Sequence, residues 1–206
     1  FSQNSIIAKL DTSNHTLYIK QKTKWTNYSY YPTNEIWLKL DINSLKSNNT
    51  EYAQKNYLSD NEKTFVDDLN IKIDGKSKII EYSNNFTGTS FDSTSAKIQL
   101  DSLLNHLNTV EINLEYKIKI PKPTIGLGYV DNRNFYLITD WMIRPAVYNK
   151  GKWHNYPTPA YFTYYNEFAD YNIELIIPKT FVCGASSTPI KITTNKDSVS
   201  YYFNQN

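Results

Sequence analysis

The chain has 206 residues, 40% hydrophobic and 20% charged, which is enough for a sizeable core and too apolar for global disorder. Its net charge of +2 comes from 22 basic and 20 acidic residues spread along the chain, without the basic stripe that neutralises phosphates, so nucleic acid is not an expected partner. No run of about 18 apolar residues occurs, so no helical membrane span is expected, and the lone Cys183 permits neither an internal disulfide nor a cysteine zinc site.

Alternation with period two dominates the chain and predicts an all-β fold. In His15–Trp25 the residues Leu17, Ile19, Gln21, Thr23 and Trp25 fall on one side, while Tyr18, Lys20, Lys22 and Lys24 fall on the other. Glu35–Leu40 repeats the pattern. One short helix is expected over 49–58, where Asn48 and Glu51 have capping-box spacing and Ala53, Gln54 and Lys55 favour helix. Leu69–Ile73 and Lys76–Ile80 flank Asp74-Gly75, a pair suited to the positive φ of a type I′ turn, and read as a hairpin. Ala96–Leu100 is a further strand, with Leu100–Leu107 as a possible helical turn. Val110–Ile120 is the longest clean alternation, and Pro121 and Pro123 stop it because proline cannot donate to a ladder. Asn134–Thr139, Tyr171–Ile177, Thr180–Ala185, Ile190–Thr194 and Val199–Phe203 complete about ten strands. Cys183, in the third of these five, is expected to be a buried, inert thiol. With no repeat and no Gly/Ser linker, the expectation is one domain over 1–206, a β-sandwich of large twisted antiparallel sheets.

The residues offer little chemistry of their own. His15, His106 and His154 lie in separate segments without a partner at metal-ligand spacing, so no metal is expected in this chain. Gly126-Leu127-Gly128 falls short of a dinucleotide fingerprint and reads as a turn. The carboxylate pairs Asp67 with Asp68 and Asp140 with Glu167 read more simply as solvated acids than as an acid/base couple. Four Asn-x-Ser/Thr sequons, at Asn14, Asn27, Asn48 and Asn85, carry little weight in so Asn-rich a sequence. The irregular stretch Thr139–Phe168 stands out, with Trp141, Trp153 and seven further aromatics, because long loops in compact domains are usually functional or interface-forming. Its aromatics can pack as a satellite core or form a stacking platform for sugars or peptides.

The same stretch, TDWMIRPAVYNKGKWHNYPTPAYFTYYNEFADYNIELIIPKTFVCGAS, is similar to a segment of bacterial aminopeptidase N-like gluzincin zinc peptidases. The matching residues are Thr139, Trp141, Ala146, Val147, Tyr148, Trp153, Glu167, Phe168, Tyr171, Ile173, Pro178 and Val182, with Pro145 shifted. LDTSNHTLYIKQKTKWTN, EIWLKL, KSNNTEYAQ, NIKIDG and YKIKIP resemble earlier family segments in the family's order, so the likeness spans almost the whole chain. The resemblance implies a saddle-shaped, non-catalytic N-terminal β domain. It would pack on a thermolysin-like catalytic domain that is absent from this chain and would carry the zinc on His-Glu-x-x-His. It also implies a peptide substrate for the parent protein, a bacterial source, and export to the periplasm, cell surface or medium. The family's N-terminal domain supplies a Gln that binds the substrate's α-amino group; Asp140 stands at that position here, followed by Trp141, and both are implied as substrate-binding. Tyr148, Trp153 and Glu167 are implied as an interdomain or aromatic surface. The alternative function is a carbohydrate- or surface-binding sandwich that uses the 139–168 loop.

Overall fold

The computed structural model describes residues 1–83, 93–124, 126–158 and 165–205. The sequon at Asn85 and residues 159–164 of the aromatic stretch lie outside them. The strands are, in chain order, β1 (Ser2–Asp11), β2 (Thr16–Thr26), β3 (Thr33–Lys39), β4 (Val66–Ile73), β5 (Lys76–Ser77), β6 (Ile80–Tyr82), β7 (Ser95–Leu104) and β8 (Thr109–Lys119). They continue as β9 (Leu127–Val130), β10 (Phe135–Ile138), β11 (Arg144–Pro145), β12 (Val147–Asn149), β13 (Lys152–His154), β14 (Ala169–Pro178), β15 (Lys191–Thr194) and β16 (Ser198–Gln205).

An eight-stranded sheet runs β15-β16-β14-β1-β2-β8-β4-β5, and a four-stranded sheet runs β11-β3-β7-β6. The pairs β9–β10 and β12–β13 form two small ribbons. The fold is all-β as expected, but the large sheet is mixed rather than antiparallel, because β1 pairs parallel to β14. Alternation places the core. Ile6, Ala8 and Leu10 of β1, Leu17, Ile19 and Trp25 of β2, and Val110, Ile112, Leu114, Tyr116 and Ile118 of β8 point inward from the large sheet. They join Ile36, Leu38, Ala96 and Ile98 of the smaller sheet in a single cluster.

Local chemistry explains the turns. Asp74 and Gly75 both take positive φ, 48° and 82°, and close β4 onto β5 as a type I′ turn requires. A bulge between Asp67 and Asn70, with Asp68 at φ 51°, turns both carboxylates toward Lys117, 3.4 and 2.5 Å from its Nζ. This acidic pair therefore shares one lysine, which offsets one of its two charges. Gly126 takes φ 76° in the turn before β9, whereas Gly128 lies inside β9, where a Cβ would come within 2.4 Å of the Pro123 backbone.

Three expectations need correction. Residues 49–58 form linked turns, not a helix. Asn48 clamps Leu58 with two side-chain bonds, accepting its N–H at 2.8 Å and donating to its carbonyl at 2.9 Å, so it cannot cap a helix. Thr50 takes the cap instead, accepting the Ala53 N–H, but only about one turn follows. Residues 100–104 continue β7 rather than turning helical. Residues 180–185 are a loop beyond β14, and Cys183 is half-buried there against the core, with its thiol pKa pushed up by burial.

Candidate functional site

The loop after β10 carries Asp140 and Trp141, and the large sheet holds it through a buried chain of polar side chains. Asn4 of β1 donates to the Asp170 carbonyl and accepts from Thr23 Oγ1 at 2.8 Å. Gln21 Nε2 donates to Thr23 Oγ1 and to the Ile143 carbonyl, at 3.0 and 2.6 Å. The Tyr116 hydroxyl lies within reach of Gln21 Oε1 and the Trp141 carbonyl, 3.1 and 3.2 Å away, and accepts the Ile143 N–H. These polar residues sit at inward positions of the strands, so each is satisfied by its neighbour or by the loop backbone. Burial drives the Tyr116 phenol pKa far upward, so it stays a neutral donor. The alternation of β2 already placed Gln21 and Thr23 inward; Gln21 bonds the loop directly, and Thr23 ties Gln21 to Asn4 of β1.

A second clamp is ionic. Asp41, just after β3, has a fully buried carboxylate that accepts from Arg144 Nη2 and, at 2.7 Å, from Thr158 Oγ1. Lys39 Nζ lies 3.8 Å from the same carboxylate and donates to the Tyr156 carbonyl. With its amide oriented by its partners, Asn166 also accepts from Arg144 Nη1, at 3.3 Å. One ion pair therefore gathers β3, the loop after β10 and both ends of the aromatic stretch. Neither Asp41 nor Arg144 was singled out by sequence reasoning. The available signal was that Arg144 is one of only two arginines in a lysine-rich chain, at a site where a planar fork is needed.

Asp140 takes φ 52° and keeps its carboxylate about two-fifths exposed, 4.0 Å from Arg144 Nη2. Burial raises its pKa above the ordinary carboxylate value and nearby Asp41 adds to this, while Arg144 and the Thr139 hydroxyl work the other way. A half-exposed carboxylate beside an arginine can accept hydrogen bonds from a cationic group. Trp141 is half-buried against the core and anchored by its own carbonyl. Glu167 lines a small cleft with Arg144, and its Oε2 accepts from the Phe1 amino group at 2.8 Å.

Tyr148 and Trp153 face each other across the β12–β13 hairpin. Their rings, 4.8 Å apart, pack onto Trp25, and the Trp153 indole N–H donates to Thr33 Oγ1. Tyr148 is buried and Trp153 half-buried, so this part of the stretch builds core rather than a proud stacking face. Exposed aromatics lie further on, at Tyr156, Tyr165 and Phe168. Among the described residues no three His, Cys, Asp or Glu side chains converge to hold a metal ion.

With the geometry in view, the chain can be set beside known proteins. No family model and no curated protein matches it. Solved structures do. The chain superposes on an M1 zinc metallopeptidase from Deinococcus radiodurans with a TM-score of 0.55 at 10% identity, covering 100% of this chain and 38% of that one. A two-domain M1 zinc metallopeptidase mutant bound to L-tryptophan gives 0.56 at 10% identity, with coverage of 99% and 39%. The Deinococcus radiodurans enzyme mutant bound to a Tyr-Ser-Ala substrate gives 0.53 at 11%, with coverage of 99% and 38%. The likeness is one of fold. It supports an N-terminal-domain-like fold, and the chain spans little more than a third of the length of the structures it matches.

Proposed function

We propose that this chain is the non-catalytic β domain of a zinc aminopeptidase-like protein. In this reading it packs on a catalytic domain of the same polypeptide and helps shape the cleft that receives a peptide's N-terminus. The observation that carries the proposal is the whole-chain fold match to just over a third of M1 metallopeptidase chains, one of them bound to a tripeptide. Zinc belongs, in this reading, to the catalytic domain. The role of this chain is positional. Asp140 accepts the α-ammonium of the peptide, Arg144 and the Tyr116 network hold its loop, and Tyr156, Tyr165 and Phe168 contribute apolar surface toward the neighbouring domain.

The coding sequence that follows residue 206 is expected to contain His-Glu-x-x-His on a predicted helix; without it the peptidase reading falls and only the fold remains. In that longer protein, Asp140→Ala should raise KM for peptides with a free amine by about tenfold. Amine binding needs the ionised carboxylate, whose pKa is raised, so KM should fall as pH rises through a value above the usual carboxylate range. An Asp140→Ala enzyme with unchanged KM and the same acid limb would remove Asp140 from this role.

A further inference from the structure

A second aromatic surface lies outside the stretch discussed above. Residues 25–34 and 102–110 meet at one end of the large sheet, where β2 leaves for β3 and β7 turns into β8. Together they contain no Asp, Glu, Lys or Arg in a chain that is 20% charged. They present Tyr28, Tyr30, Tyr31, Leu103 and Leu107 to solvent, with Tyr30 87% exposed. Its ring stacks on His106 with centroids 4.6 Å apart and planes 25° apart, and the high exposure leaves much of the ring open to solvent.

This surface is rigidly built. Asn27, fully buried, acts as a hub: its amide donates to the carbonyls of Tyr31 and Leu104 at 2.9 and 3.1 Å, and its side-chain oxygen accepts the Ser29 N–H. Its backbone closes on the opposite turn, with Asn27 N–H to Asn108 O and Leu107 N–H to Asn27 O. Ser29 Oγ accepts the Tyr31 N–H, and the Ser29 carbonyl faces His106 Nδ1 at 3.2 Å. The β12–β13 hairpin buttresses the loop from the side. The Tyr148 hydroxyl donates to the Pro32 carbonyl at 2.9 Å, and the Tyr31 ring lies against Gly151, where a Cβ would come within 3.2 Å. Lys150 and Lys152 of this hairpin lie at the rim, outside the uncharged segments.

The hub and the hairpin fix the backbone from which these rings project. Tyr, Ser and Asn on a stiff loop are what binding surfaces for uncharged polar ligands use, with aromatic area at low entropic cost and adaptable hydrogen bonding beside it. A proud, open-faced ring suits a flat ligand that stacks on it, whereas a polyproline peptide needs a groove between rings. The lack of charge in the two segments disfavours an anionic surface or polymer. We infer that the Tyr28–Tyr31 loop, backed by His106, is a binding platform for a neutral polysaccharide, with a sugar ring stacked on Tyr30 and hydroxyls met by the neighbouring tyrosines and by the exposed Asn105 and Asn108. The site is independent of Asp140 and of the peptidase reading.

The test is affinity electrophoresis of the chain in gels holding xylan, galactomannan, hydroxyethylcellulose or soluble starch, alongside a polysaccharide-free gel. Retardation in at least one of the four is expected, weakened by about tenfold or more in Tyr30→Ala and also weakened in His106→Ala. Tyr30→Phe, which keeps the stacking ring, and Tyr18→Ala, on the outer face of β2, should bind like the parent. No retardation in any of the four gels overturns the inference, as does retardation that Tyr30→Ala leaves unchanged. Tyr30-dependent binding of a proline-rich peptide or of phosphatidylcholine vesicles, without polysaccharide binding, overturns it as well.

Discussion

Asp41→Ala is expected to destabilise the chain by about 3–5 kcal/mol, read as a lower urea midpoint at an unchanged slope. The carboxylate is fully buried and takes Arg144 on one oxygen and Thr158 on the other, with Lys39 nearby. Removing it takes the shared carboxylate from the Arg144 guanidinium and the Lys39 ammonium in a largely buried site and leaves the more exposed Asp140, 4.0 Å from Arg144, as a weaker substitute, so the loss is mostly the cost of under-compensated positive charge rather than the strength of the pair. This account makes a second demand. Replacing both partners, Asp41→Leu with Arg144→Leu, should recover only part of the loss, because it removes the buried guanidinium along with the carboxylate but leaves the Lys39 ammonium in the same site. If Asp41→Ala costs less than about 1 kcal/mol, the pair is not the clamp described here. The damage should also be local in one respect. The Asp41 carboxylate joins the loop of Asp140 to Thr158, so amide exchange should quicken in both segments at denaturant concentrations where β2 and β8 remain protected.

Much of the sheet architecture was legible in the sequence, because burial on a strand alternates and the alternation is visible wherever the inward residues are apolar. That is why β2, β3 and β8, and the Asp74-Gly75 turn, stand where the pattern placed them. β1 was not read as a strand, since the likeness to family strands begins only at Leu10 and Ser2 and Asn4 are inward polar residues that break the pattern; their reason for being inside is the bond network to Thr23 and Asp170. The helix expected over 49–58 failed for a related cause. Asn48 has capping chemistry, but its partner is Leu58, ten residues on, and local spacing cannot reveal that choice. The candidate site was legible in its place and not in its construction. Asp140 and Trp141 were found through resemblance, whereas the ion pair that gathers their loop joins residues 103 apart in sequence. The resemblance implied Tyr148 and Trp153 as an interdomain or aromatic surface; their rings pack against Trp25, edge-on for Tyr148 and tilted for Trp153, a contact between distant strands that no periodicity encodes.

Trp25→Ala is the other substitution expected to cost about 3–5 kcal/mol, since it empties a large buried site that the surrounding strands cannot collapse to fill. Trp25 is 2% exposed at the end of β2, its ring 5.2 Å from Trp153 and 6.3 Å from Tyr148. Those two aromatics carry the β12–β13 hairpin, and the hairpin in turn holds Pro32 and Thr33 through the Tyr148 hydroxyl and the Trp153 N–H. The three rings should act as a unit. A double-mutant cycle between Trp25→Phe and Tyr148→Ala should show a coupling of about 0.5–3 kcal/mol, whereas Trp25→Phe with Val199→Ala, at the opposite end of the large sheet, should add within about 0.5 kcal/mol. Trp25→Phe alone should cost much less than Trp25→Ala. It keeps an aromatic ring in the stack and removes a buried indole N–H that has no hydrogen-bond partner among the described residues. Equal losses for the two substitutions would mean that the indole's second ring, rather than aromatic contact in general, sets the packing. If Trp25 is the base of this stack, Trp25→Ala should also increase the mobility of the Tyr28–Tyr31 loop, because the buttress at Pro32 and Gly151 rests on the same hairpin. Tyrosine-ring NMR relaxation before and after the change would measure it, with Tyr18 on the outer face as the ring that should not respond.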